Sequence, residues 1–150
     1  MYVILPTEEF IREMHEAVIE SSGGRSGELH SSTIKKAVDR PKHYIYYEEC
    51  NFHKVCAVIL HTLARKHPFI DGNKRTALAV TIATYRLNGI NLDYDQVIQG
   101  DFVDLMLWVV NDSPDIDEIA ERLTILTNKY AKKSARKALE KAEYEFEIEE

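Results

Sequence analysis

His67-Pro68-Phe69-Ile70-Asp71-Gly72-Asn73-Lys74-Arg75 lies between two stretches that read as helix, and its punctuation decides how the chain is organised. Pro68 has no backbone N–H and biases His67 away from helical angles. Gly72 permits a tight turn or a close approach to a ligand. The stretch therefore reads as a loop that joins two helices and ends as the second begins. The free N–H groups of that second helix, near Asn73 to Thr76, would point outward with the positive end of the helix dipole behind them. With Lys74 and Arg75 beside them they form a phosphate cradle. His67, at the other end of the loop, is placed to take a proton from an incoming hydroxyl. Asp71 lies between and suits a magnesium ion bridging phosphates. A polar, solvated connection would explain any one of these residues, but the whole set in one loop, with Phe69 as anchor, points to a site.

The flanking sequence supplies the helices. Upstream, Val55, Cys56, Ile59, Leu60 and Leu63 fall on one side of a helix spanning about Asn51–Lys66. His61 and Arg65, four apart, share a face close to the loop. Downstream, Thr76 to Asn88 is apolar on more than one face, the pattern of a buried central helix, and Gly89 follows as its stop. Thr7 reads as the cap of a first helix carrying Phe10, Ile11, Met14, Ala17 and Val18; His15 within it reads as surface or packed. Ser21 to Gly27 is a flexible Gly/Ser loop without the spacing of a P-loop or dinucleotide fingerprint. Ser31 or Ser32 would start a short helix that Pro41 would end. His43-Tyr44-Ile45-Tyr46-Tyr47 is a β-favouring aromatic run. Further helices are expected over Tyr94–Asn111, broken near Gly100, and over Ile116–Leu126 after Ser113-Pro114-Asp115. Residues 2–5 read as a short strand or an extended lead-in.

At 150 residues, 45% hydrophobic and 29% charged, the chain has the size and composition of one globular domain. It holds no apolar run long enough for a membrane span and no signal-peptide pattern, so the expected location is the cytoplasm. A net charge of −6 argues against direct binding of nucleic acid. Cys50 and Cys56 have neither metal nor redox spacing and read as reduced core thiols. Beyond Thr127 a basic block from Lys129 to Lys141 precedes an acidic one from Glu143 to Glu150. That pattern suggests a domain over 1–128 and a solvated charged helix or tail over 129–150, its end fraying because its charges oppose the helix dipole.

His67-x-Phe69-x-Asp71-Gly72-Asn73-Lys74-Arg75 resembles the signature of the Fic/Doc (Fido) superfamily, whose members modify protein hydroxyls with parts of a nucleotide. Lys74 stands where AMP-transferring Fic proteins usually have glycine, and Leu78 where they usually have a second arginine; both are typical of the death-on-curing (Doc) toxin branch. Ser22-Gly23-Gly24 with Gly27, Ala37-x-x-Arg40-Pro41 and Arg65 extend the likeness, over roughly residues 5–127. The resemblance implies an all-α bundle of about six helices, with a small β-hairpin flap at His43–Tyr47 beside the active site. It implies His67 as general base, Asp71 as the Mg²⁺ ligand, and Gly72, Asn73, Lys74 and Arg75 as the nucleotide phosphate site. ATP or another NTP would be the co-substrate. The acceptor would be a target protein, a translation factor by the family precedent of elongation factor Tu, and the restraint an antitoxin from another gene, since no inhibitory Ser/Thr-x-x-x-Glu-Gly/Asn motif occurs here. Lysine at position 74 goes with a nucleotide that presents its γ-phosphate, so phosphorylation is favoured over AMP transfer. A silent nucleotide- or protein-binding module, and an oligomer, stay open.

Overall fold

The structure, a computed structural model, describes residues 3–92 and 100–146. Its centre is the helix that leads into the loop. Among the described residues there are seven α-helices: α1 (Glu8–Ser22), α2 (Ser31–Tyr47), α3 (Phe52–Arg65), α4 (Asn73–Leu87), α5 (Asp101–Asp112), α6 (Ile116–Tyr130) and, after a 3₁₀ turn at Lys133–Ala135, α7 (Arg136–Ala142). They contain no sheet, only isolated bridges. The fold is the expected all-α bundle.

α3 is apolar around nearly its whole circumference, so only the middle of the bundle can bury it. Every residue of it is buried except Lys54, His61 and Arg65. α2, α4, α5 and α6 pack against it, and α1 lies across α4 and α2. Local chemistry fixes the helix starts. Thr7, Asn51 and Asp115 each accept a first-turn N–H, from Phe10, Lys54 and Glu118, at 2.8–3.0 Å. The stop expected at Gly89 is present, its N–H bonded to Arg86 O and that of Ile90 to Tyr85 O. The lead-in is extended and hangs on Asn88, which exchanges two bonds with the backbone of Ile4.

Three expectations are corrected. Pro41 does not end α2, which continues to Tyr47. The ring sits buried on the face toward the core, and that packing outweighs the lost hydrogen bond, as tertiary context often does. The β-hairpin flap at His43–Tyr47 is therefore absent: the run is the last turn of α2, where His43 and Tyr47, four apart, bring their rings to 5.1 Å. It also lies at the start of α3, whereas His67 follows its end, about 20 Å along the axis at 1.5 Å per residue. Of the helix or tail expected after Thr127, the described part is helical, and it is not solvated on all sides. α6 runs on to Tyr130, and α7 folds back to bury Leu139 and Ala142 in the common core, with Phe146 N–H bonded to Cys50 O. Of the helix expected over Tyr94–Asn111, Asp101 onward is observed and residues 93–99 lie outside the described residues, as do Glu147–Glu150. Cys50 and Cys56 are free and buried. No helix among the described residues is long and apolar enough to cross a membrane.

Candidate active site

The loop begins where α3 cannot continue. His67 precedes a proline and adopts φ 47°, a left-handed conformation that costs a non-glycine residue about 1–2 kcal/mol. The turn leaves its imidazole exposed. Pro68 and Phe69 dive into the protein, and Phe69 is 2% exposed. Their backbone is fastened to a second segment far away in sequence. Leu29 and His30 N–H both donate to Pro68 O, and Ile70 N–H donates to Gly27 O at 3.0 Å. A single antiparallel bridge, Glu28 to Phe69, results.

Asn73 closes the loop from the other side. Its Oδ1 accepts from Phe69 N–H at 2.9 Å and its Nδ2 donates to Phe69 O at 2.8 Å. The side chain expected to meet a phosphate is thus mainly a clamp, with one N–H of the amide left over. Gly72, at φ 77°, caps α4 without any side-chain partner for its first turn. The start of α4 thus has no side-chain cap, and an uncapped helix start is one that an anion can fill.

Asp71 is held by two amides. Its Oδ1 accepts from Gly72 N–H at 2.8 Å and its Oδ2 from Arg25 N–H at 3.0 Å. Those bonds, Arg25's first, keep its carboxyl below the usual aspartate range, with smaller help from the charges of Arg75 and Arg25. Each oxygen retains a lone pair, and the group is half-exposed. One ionised carboxylate next to a phosphate cradle is the protein share of a typical magnesium–nucleotide site. Among the described residues no group of three potential metal ligands occurs, so the donor set suits an ion arriving with phosphates.

The two cations divide. Arg75 turns to the Gly/Ser loop, donating from Nη1 to Ser22 Oγ at 2.6 Å and to Gly23 O at 2.7 Å, with Nη2 at 3.8 Å from Asp71. Lys74 is exposed, and among the described residues it has no carboxylate partner.

Two contributors are not evident from the sequence. The Gly/Ser loop, flexible by its composition and linked to the motif in sequence only through the family likeness, is packed against it: a Cβ on Gly24 would lie 2.6 Å from Asp71 Oδ2. His15 is buried, stacked flat on the Phe69 ring at 3.7 Å, and its Nε2 donates to Asp71 O at 2.8 Å. Its position four residues after Ile11, on the buried stripe of α1, was the available signal. His61 lies one turn before Arg65 on α3, half-buried.

Residues 5–84, the part that carries α1 to α3, the whole loop and most of α4, match the model of the Fic/DOC family. The chain is 37% identical over 92 residues to Toxin Doc of Mycolicibacterium smegmatis, covering 60% of this chain and 70% of that protein. It is 34% identical over 80 residues to Protein kinase doc of Escherichia phage P1, covering 53% of this chain and 64% of that one. Motif, helical fold and relatives agree: the chain belongs to the Fic/DOC family, in its Doc branch.

Proposed function

We propose that the protein is a Doc-type toxin that transfers the γ-phosphate of ATP to a hydroxyl of a target protein and is held in check by an antitoxin. The observation that carries this reading is the division of the loop. Its buried members, Phe69 and Gly72, and the half-buried Asn73 clamp fix the backbone, while His67, Lys74 and the uncapped start of α4 face outward. Such an arrangement does what phosphoryl transfer asks of a protein, which is alignment and charge neutralisation.

In the proposed reaction the hydroxyl oxygen attacks the γ-phosphorus, its proton passes to His67, and the bond from that phosphorus to the bridging oxygen breaks to release ADP. His67 is exposed at the start of the loop, where an imidazole nitrogen can reach an incoming hydroxyl and take its proton. Lys74, the α4 amides and the spare N–H of Asn73 hold the phosphate oxygens, and Arg75 holds the glycine loop that supports Asp71. A magnesium ion bound with the nucleotide would be held by Asp71 and would neutralise phosphate charge. The names of the two relatives, one a toxin and one a protein kinase, support the toxin class and the γ-phosphate; Lys74 supports the same orientation of the nucleotide.

The test is a transfer assay with ATP labelled separately on the α- and γ-phosphates, with Mg²⁺ and a cell extract as acceptor. Label from γ alone, absent with His67→Ala, is the expected result. Label from α would replace phosphorylation by AMP transfer. No label from either, with folded protein, would overturn the enzyme reading in favour of a binding module.

A further inference from the structure

The central helix reaches the surface along a single stripe, Lys54, His61 and Arg65. At its start Lys54 is neutralised by Asp117 at 3.0 Å. At its end, one turn before His67, the stripe is cationic and uncompensated. Arg40, from α2, is fixed beside it by a bond from Nη1 to Thr62 Oγ1 at 2.6 Å. Arg65 is fixed from the other flank, donating to the carbonyls of Val109 and Val110 in the last turn of α5. His61 lies between them, half-buried, and its Nδ1 is buried without a hydrogen-bond partner. Lys66, exposed, follows at the edge. Among the described residues none of Arg40, Arg65 and Lys66 has a carboxylate within 4.0 Å, in a chain whose net charge is −6.

We propose that this cationic patch, formed by Arg40, His61 and Arg65 with Lys66 at its edge, docks an acidic segment of the acceptor protein and delivers its hydroxyl to His67. The proposal rests on the transfer reading above. Both guanidiniums are already held in place, so little side-chain freedom is lost when a carboxylate arrives. Burial first, then the charges of Arg40, Arg65 and Lys66, lowers the pKa of His61. Its ring therefore stays neutral and offers a hydrogen bond without adding a charge. The nucleotide has its own place across the loop, at the start of α4, which leaves this side of His67 for the acceptor. A nucleic acid would need a longer basic track than three cations on an acidic protein.

The test uses three synthetic peptides of equal length, each with a central threonine flanked by runs of glutamate, glutamine or lysine. Their binding to the full chain is followed by fluorescence anisotropy without nucleotide. The glutamate peptide is expected to bind about tenfold more tightly than the glutamine peptide at low salt, and the preference to shrink at high salt. Lys66→Glu, at an exposed position, and Arg40→Gln, which keeps a donor for Thr62, are each expected to remove most of it. Lys137→Glu makes the same change of charge as Lys66→Glu on α7 and is expected to preserve it. Equal binding of the glutamate and glutamine peptides would overturn the proposal. So would an equal loss in Lys137→Glu, or tighter binding of a single-stranded RNA of the same charge. Because no nucleotide is present, failed phosphate transfer with intact charge-dependent binding would strike the transfer reading and leave this docking surface standing.

Discussion

Gly24→Ala separates what the glycine loop does for the fold from what it does for the site, and Gly23→Ala is its control. Both glycines have positive φ, 85° at Gly23 and 126° at Gly24, so alanine at either costs about 1–3 kcal/mol of stability through the backbone alone. Their surroundings differ. A Cβ on Gly23 meets nothing within 4 Å, whereas one on Gly24 stands 2.6 Å from Asp71 Oδ2, 2.9 Å from Ile19 Cδ1 and 3.0 Å from Arg75 Nη2. Ordinary contact begins at 3.4 Å, so the carboxylate oxygen must retreat by about 0.8 Å. The crowding atoms are ends of side chains and can move, so the added loss of stability is small. The displaced group, however, is the one proposed to hold magnesium, and a shift approaching 1 Å in a catalytic constellation costs up to about 100-fold in rate. Urea unfolding should therefore rank the two variants together. Initial rates of transfer, measured over a magnesium titration, should show Gly24→Ala slower than Gly23→Ala by well over about tenfold. Rates within about twofold of each other would refute the idea that this loop positions Asp71.

His67→Ala and His67→Gly should both lose transfer while still binding nucleotide, and the glycine variant should be the more stable by about 1 kcal/mol, because φ 47° no longer strains it; a less stable glycine variant in urea would show that the loop does not hold that conformation. His53 is buried, with Nδ1 on Tyr85 Oη and Nε2 unpartnered, and burial lowers its pKa from 6.5 to about 4. Below pH 6.5 the unfolded chain binds this proton and the folded one does not, so stability present at neutral pH should fall by about 3 kcal/mol as pH drops toward 4. Denaturant unfolding across that range checks it, and a slope unchanged in His53→Leu would assign the loss to other groups. Asn73→Ala leaves the buried N–H and C=O of Phe69 without their partners and should cost about 2 kcal/mol together with most of the transfer rate; thermal melts and γ-label transfer measure the two, and unchanged values in both would deny Asn73 its clamp.

What the sequence made legible was whatever is decided within a few residues. Thr7, Asn51 and Asp115 announce helices because a cap bonds an amide three positions on. The loop was legible for the same reason, its chemistry being contiguous from His67 to Arg75. Pro41 and the tyrosine run misled because both are local signals overruled from a distance. The faces that α2 presents to α3 reward helix, and a proline on the buried side of it is tolerated. The supports of the site were invisible for a related reason. Arg25 meets Asp71 across 46 residues, Arg75 meets Ser22 across 53, and His15 meets Asp71 across 56. No hydrophobic period in a single chain encodes such pairs, so the Gly/Ser loop read by composition as flexible although Gly24 is a fitted contact.

The same distances explain how nine residues carry so many roles without conflict. A short loop with a base, a carboxylate and two cations at close quarters would tend to neutralise itself, Arg75 closing on Asp71 and Asn73 bonding whichever neighbour came first. Here the outside segment takes up those tendencies. Ser22 and Gly23 engage the Arg75 guanidinium and leave it 3.8 Å from the carboxylate; Arg25 and Gly72 amides satisfy Asp71 without a full ion pair; Asn73 is spent on Phe69. What is left unspent, His67, Lys74 and the first amides of α4, is the set that a phosphate and a hydroxyl would need. The Gly/Ser loop thus acts by occupying the groups that would otherwise quench the site, and glycine is required at position 24 because a side chain there would collide with Asp71 and Arg75.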